Sequence, residues 1–390
     1  MRLEGRRVVV VGGGIGGLAV ALACRQRGAE VLVLEQAQAI EEVGAGIQIS
    51  PNGLRVLDAL GLGQGLRDRA CIASAVSLRD HSGGAEVLRL DLSRLAEAGT
   101  YHFVHRADLI DLLVEAVRAS GAQIRLLQRV VAVRPGAPAQ IDLANGDRCG
   151  GDLVIGADGL HSAVRGALNG AVAPVFTRQV AWRAVVPNLA GHPPEARVHM
   201  GPGRHLVSYP LRGGAQVNLV AVEERSDWVA ESWSHLDAPE PMRSAFQDFA
   251  PDVQALLGAV ERPGLWGLFR HPVARVWQGE GVALLGDAAH PTLPFMAQGA
   301  NMALEDAWAL AACLERDPQP QALARYQHLR RDRCARIVAT ADGNAWKYHL
   351  KNPLIRSAAH LAMGVLGRVA PARMLAQFDW IYRYDVTAEA

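Results

Sequence analysis

The stretch Arg7-Val-Val-Val-Val11-Gly12-Gly13-Gly14-Ile15-Gly16-Gly17 decides how the rest of the chain is read. An apolar, β-branched run reads as a buried strand. The glycines that follow satisfy G-x-G-x-x-G, and Leu18 to Arg27 reads as a helix stopped by Gly28. Val31 to Leu34 is a second strand, ending at Glu35. Gly12 allows the tight turn, Gly14 lets backbone approach a pyrophosphate, and Gly17 lets helix and strand pack closely. The helix N-terminus offers free N–H groups and a positive dipole end to phosphates, and Ile15 in the turn before it is an expected cofactor contact. Glu35 lies 18 residues beyond Gly17, where an acid accepts hydrogen bonds from a ribose hydroxyl. Strand, glycines, helix, second strand and acid in register predict an adenine dinucleotide site. Glu35 repels a 2′-phosphate, so the expected resident is FAD or NAD rather than NADP.

Outward from this unit, 390 residues allow two to three domains. Lys+Arg number 40 and Asp+Glu 39, and a net charge of +1 gives no support for a nucleic-acid partner. Half the residues are hydrophobic, which excludes a disordered chain. Forty glycines exceed the usual share and point to tight turns and close backbone approaches. Five scattered cysteines without a CxxC pair argue against a zinc ribbon and for a reducing, cytoplasmic setting, and no metal site is expected. Arg6-Arg7 before the uncharged run Val8–Cys24 has the outline of a signal peptide, but five glycines between 12 and 17 make it a poor apolar helix. Leu354–Leu366 is apolar yet too short to span a bilayer, and predicts a packed or interfacial helix. Gly61-Leu-Gly63-Gln-Gly65 and Gly201-Pro-Gly203 read as turns.

Two later stretches repeat the pattern of a buried strand ending in a polar turn: Asp152-Leu-Val-Ile-Gly-Ala-Asp158-Gly159 and Gly281-Val-Ala-Leu-Leu-Gly286-Asp287-Ala-Ala-His290-Pro291. Asp287 is placed to bond a ribityl hydroxyl. Pro291 and Pro294 keep the chain out of helix until Gly299 or Ala300, whose helix start aims its positive end where a reduced flavin holds negative charge. His290 reads as part of this loop rather than as a catalytic group.

Taken together, these residues resemble the single-component FAD-dependent aromatic hydroxylases of the 4-hydroxybenzoate and salicylate hydroxylase type. The likeness covers nearly the whole chain, and Ala181-Trp182-Arg183-Ala-Val-Val-Pro187 and Arg204-His-Leu-Val-Ser-Tyr209-Pro210 place it nearer the salicylate branch. It implies an α/β fold: a Rossmann-like FAD-binding domain (1–73, 102–174 and 271–345), an inserted α+β substrate domain built on a β-sheet (74–101 and 175–270), and a helical C-terminal segment (346–390). It also implies that Gly44-Ala-Gly46-Ile47 passes close to the flavin, that Arg106 lies near the ribityl and pyrophosphate, that Val130 contacts adenine, and that Asp158 organises the site. NADH or NADPH then acts as a transient co-substrate without a nucleotide fold of its own, and O2 reacts to give a flavin C4a-hydroperoxide. The product is a hydroxylated aromatic or heteroaromatic, salicylate-like, with or without loss of a carboxylate.

On the substrate side, His205-Leu-Val-Ser-Tyr209 is strand-like, so period 2 puts His205, Val207 and Tyr209 on one face, and Arg212–Ala215 is a hairpin turn. The aromatic ring is the nucleophile in such a reaction. A His that takes a phenolic proton raises its electron density, and Tyr209 orients the substrate oxygen. Arg183 and Arg204 are candidates for a substrate carboxylate, although alternation sets Arg204 opposite His205. Three alternatives stay open on the residues alone: an epoxidase or N-hydroxylase of a non-phenolic compound, an FAD reductase or dehydrogenase without oxygenation, and a protein holding flavin only as a structural ligand. The chain is expected to be a monomer or a homodimer.

Overall fold

The computed structural model describes residues 3–40, 45–95, 97, 99–227 and 236–389; Gly44 lies outside them. Arg7–Val11 sits inside a six-stranded sheet ordered Gln278–Gly279, Val282–Leu284, Leu153–Gly156, Arg7–Val11, Glu30–Leu34, Gln123–Arg125. All neighbours are parallel except the first two. A parallel sheet is covered on both faces, which is why Val8, Val9, Val10 and Val11 are all buried rather than alternating. Each buried Val contributes roughly 1.5–3 kcal/mol of hydrophobic stabilisation. The helix Ile15–Gln26 packs on Arg106–Ala119 and on Gly299–Arg316, and the long helix Gln319–Tyr348 packs on Gly299–Arg316 in turn.

A seven-stranded sheet forms the second layer, ordered Gly264–Arg270, Val175–Pro187, Gln216–Glu224, Arg204–Leu211, Glu195–Gly201, Ala75–Asp80, Glu86–Asp91. Only Glu195–Gly201 and Ala75–Asp80 pair in parallel. Trp182, Leu206, Leu219 and Ala221 point to one side and bury against Met242, Phe246, Val253 and Leu257 of two short helices. The opposite face, carrying Ala181, Val207, Val220, Val222 and Trp266, meets Leu293 and Phe295 of the loop before Gly299. A small sheet of Gly46–Ile49, His102–His105 and Cys71–Ile72 joins the layers: Gly46 N–H donates to Asn218 of the large sheet at 2.7 Å.

Two expectations need adjustment. The segment Gly63–Arg69 is a helix rather than part of a turn. Leu66 is fully buried, so its packing outweighs the poor propensity of Gly63 and Gly65; the pair between Arg67 and Asp58 at 2.7 Å is exposed. The first helix begins at Ile15, three residues before the apolar run suggests. The helix Pro353–Val369 has no buried residue. One side rests on Glu86–Asp91, while Leu354, Leu361 and Val369 stay exposed. Among the described residues no helix is long and apolar enough to cross a membrane.

Candidate functional site

Four parallel strands end side by side, in the order Leu284, Gly156, Val11, Leu34. The residues that follow them are Asp287, Asp158, Gly12 and Glu35. The strand order thus sets the three sequence motifs in one row along the carboxyl edge of the sheet, where open α/β folds bind ligands. Three inter-strand steps of about 4.8 Å make the row roughly 14 Å long, suited to an elongated dinucleotide.

The local geometry fits such a group. Gly12 adopts φ +104°, and a Cβ there would lie 2.3 Å from the carbonyl oxygen of Ala157. A Cβ on Gly17 would lie 2.0 Å from the carbonyl oxygen of Gly12, so turn and helix close on each other. At Gly14 a Cβ would meet nothing within 4 Å, so the backbone there borders open space. No side chain caps the helix Ile15–Gln26 or the helix Gly299–Arg316, which leaves the N–H groups at Ile15, Gly299 and Ala300 for an anion. Glu35 accepts from Gly13 N–H at 2.7 Å and Ala37 N–H at 2.8 Å, tying the second strand to the glycine turn. Gln128 N–H donates to the Glu35 carbonyl at 2.8 Å, which brings the strand that starts at Val130 to the same end of the row. If Glu35 holds the ribose, Glu35→Ala lowers the fraction of protein purified with FAD; unchanged FAD affinity by titration removes that role.

Asp158 turns inward. It accepts from Ser162 Oγ at 2.5 Å and Ala163 N–H at 2.8 Å and so fixes the start of the helix Ala163–Asn169. Burial raises its pKa against these bonds. Asp287 behaves differently. Its side chain is exposed, yet protein surrounds it closely enough to raise its pKa by desolvation, against the pull of His290 and Arg106. Arg106 is thus brought toward Asp287. Ile47, on Gly46–Ile49, packs on the main core and is half-buried. A Cβ on Gly46 would lie 2.6 Å from the Tyr209 ring, so this strand passes directly against the substrate sheet.

His205 and Tyr209 share the face with Val207 that looks toward the loop containing Phe295, as the alternation predicts. Both are buried. The His205 ring lies 5.7 Å from that of Phe295, and burial, with His349 beside it, holds its pKa well below the ordinary value. Tyr209 packs 5.0 Å from Phe103, and burial raises its hydroxyl's pKa, with Arg183 and Gln48 pulling the other way. Strand pairing sets Arg183 opposite Val220, on this same face, and its guanidinium lies 4.7 Å from the centre of the Trp266 ring. Arg204 instead pairs with Asp248 at 2.7 Å, away from His205.

A further set of residues escaped the motif reading. Glu305 and Asp306, in the middle of the helix Gly299–Arg316, are fully buried beside the fully buried Arg330. Arg330 meets Glu305 at 2.6 Å and Asp306 at 2.8 Å, and Arg333 meets Glu305 at 2.9 Å. Asp306 also accepts from Gly286 N–H at 3.0 Å and lies 2.5 Å from His290 Nε2. Burial opposes its charge, but His290 and Arg330 prevail and hold its pKa at about 2. Asn52 donates to Glu305 at 2.6 Å and to Gln298 at 3.2 Å, and Gln298 donates to Ser50. One network therefore fixes the Gly286-Asp287 turn, the start of the helix at Gly299 and the strand end at Ser50. His290 is an anchor of this loop. With Cys334 it offers ligand geometry around Asp306, but Arg330 already occupies that carboxylate with a positive charge. Two adjacent acids inside an apolar helical run were the sequence signal.

The chain matches the FAD binding domain family over residues 6–341. It is 37% identical over 353 residues to 3-amino-4-hydroxybenzoate 2-monooxygenase of Streptomyces cremeus, covering 88% of each chain. It is 36% identical over 360 residues to 3-hydroxybenzoate 6-hydroxylase of Klebsiella oxytoca, covering 88% of this chain and 89% of that one. Klebsiella pneumoniae HpxO, solved with FAD and uric acid, superposes with a TM-score of 0.85 at 25% identity over 96% of both chains. Fold, row of motifs and relatives agree: the chain belongs to the FAD binding domain family, as an FAD-dependent aromatic hydroxylase.

Proposed function

We propose that this monooxygenase hydroxylates a small phenolic aromatic acid, with NADH or NADPH and O2 as co-substrates. The observation that carries this reading is the shared face of the seven-stranded sheet: a base (His205), a hydroxyl (Tyr209) and a cation (Arg183) stand over an apolar floor of Val207, Val220, Trp266, Leu293 and Phe295. Bound FAD supplies the oxygen-transfer chemistry. Gly12, Gly14, Ile15, Gly17, Glu35 and Val130 hold its adenosine and pyrophosphate end; Gly46, Ile47, Arg106, Asp158, Asp287, Gly299 and Ala300 hold its ribityl and ring end. The sheet over it excludes water from the reacting ring. Division of the chain into 1–73, 102–174 and 271–345 for the cofactor, 74–101 and 175–270 for the substrate, and 346–390 as a helical segment belongs to the same proposal.

His205, neutral at pH 7 because it is buried, accepts the phenolic proton. Tyr209, kept protonated by burial, donates a hydrogen bond to the substrate oxygen. Arg183 pairs with the ring carboxylate. Both relatives described above are named for hydroxybenzoate substrates, which supports a carboxylated phenol. A panel of monohydroxylated benzoates and heteroaromatic acids tests this, with NADH oxidation and product mass followed together, since some aromatics stimulate oxidation without being hydroxylated. Product mass also decides whether the carboxylate is retained or lost. Loss of a charge-assisted contact costs about 1.5–3 kcal/mol. Arg183→Gln is therefore expected to raise KM for the acid about 10–100-fold while barely changing that for the matching phenol. An equal effect on both substrates rejects the carboxylate contact.

A further inference from the structure

His205 is the inner end of a row of four polar side chains. Its Nδ1 lies 2.6 Å from Nε2 of His349, and Nδ1 of His349 lies 3.0 Å from Oε1 of Glu224. Oε2 of Glu224 lies 2.6 Å from the Lys351 ammonium. Exposure rises along the row: His205 is 1% exposed and His349 3%, whereas the side chains of Glu224 and Lys351 are 33% and 69% exposed. The row thus runs from the substrate face of the sheet to the protein surface.

Chemistry fixes the direction of each hydrogen bond. An ionised carboxylate only accepts, so His349 Nδ1–H donates to Glu224. Burial works against that charge, and Lys351 and His349 overcome it, keeping the Glu224 pKa below the ordinary value. A neutral His349 then has a bare Nε2, which accepts from His205 Nδ1–H. His205 is left with its lone pair on Nε2, the nitrogen a phenol needs. Backbone contacts hold the row in place. Gly203 N–H donates to the His349 carbonyl at 3.2 Å, and Glu224 N–H donates to the Gly203 carbonyl at 2.8 Å. His349 also closes the end of the helix Gln319–Tyr348.

We propose that His349 and Glu224 form a proton exit, so that the phenolic proton leaves for solvent instead of resting on His205. This rests on the reading of His205 as the base. The phenolic O–H breaks and its proton bonds to His205 Nε2. His205 Nδ1–H passes its proton to His349 Nε2, His349 Nδ1–H passes its own to Glu224, and Glu224 releases one to water. The net change is phenol to phenolate with one proton in solvent. A lasting imidazolium at His205 is costly because the site is desolvated, and the relay avoids one. His349 and Glu224 are positioning residues that act through His205.

His349→Gln tests the proposal, because an amide can accept from His205 and donate to Glu224 yet does not carry a proton onward. In the holoenzyme with 15N-labelled histidine, NMR is expected to show His205 protonated on Nδ1, with coupling to His349 Nε2 across the hydrogen bond. A His205 protonated on Nε2 overturns the relay. In weak buffer with a pH indicator, proton release on mixing the holoenzyme with 3-hydroxybenzoate is expected to slow at least about tenfold in His349→Gln and in Glu224→Gln. FAD content and 3-hydroxybenzoate affinity should stay within about threefold of the unmodified enzyme. Release at full speed in both variants overturns the relay. His205→Asn separates the two ideas: slow release there, with full speed in the others, sinks only the relay, while full speed in all three sinks the base as well. Should His349→Gln lose FAD, Glu224→Gln carries the comparison.

Discussion

His205→Ala is expected to retain FAD and lose hydroxylation, with kcat for product falling about 10²–10⁴-fold, the usual contribution of a positioned acid–base group. NADH oxidation continues in that variant, but its electrons end in H2O2 instead of a hydroxylated ring. The reason is electronic. A phenol is a weaker nucleophile than its phenolate, and His205 Nδ1 is already committed to His349. Tyr209→Phe should behave similarly but less severely, because it removes a hydrogen-bond donor and leaves the ring that packs on Phe103. Product yield per NADH and H2O2 formation check both. Normal kcat and full coupling in the two variants would remove these residues from the mechanism.

The second large effect concerns stability. Arg330→Met strips the counter-charge from Glu305 and Asp306, all three with fully buried side chains. Breaking one side of a buried ion network costs about 3–5 kcal/mol, because the remaining charge has neither water nor partner. The melting temperature of the holoenzyme should fall by roughly 10 °C. FAD should also be held less tightly, since Asp306 anchors Gly286 and Glu305 anchors Asn52. Arg67→Met, which removes the exposed pair with Asp58, is the control and should leave melting nearly unchanged. Equal, small shifts in both variants would show that the buried network contributes no special stability.

The contrast between these residues explains what the sequence discloses. The parallel sheet and its cofactor row were legible because each motif is local: a run of buried strand, then a glycine or acid at its end. Strand order then does the rest by bringing Gly12, Glu35, Asp158 and Asp287 to one edge. The facing of His205 and Tyr209 followed from period 2 alone. Their partners did not. His349 is 144 residues from His205 in sequence, and Arg330 is 24 residues from Asp306 on a separate helix, so no spacing rule pairs them. Alternation already sets Arg204 on the face away from His205, and in the structure it pairs with Asp248. The helix Gly63–Arg69 was misread because glycine propensity is a local signal, whereas the burial of Leu66 is a tertiary one.

The most direct test of the central claim is turnover under 18O2 with NADH and the panel of hydroxybenzoates. A phenolic acid is expected to gain one oxygen-18 atom at a ring carbon for each NADH consumed, and its product yield to collapse in His205→Ala. NADH consumption that yields only H2O2 and unlabelled aromatics across the panel would contradict it.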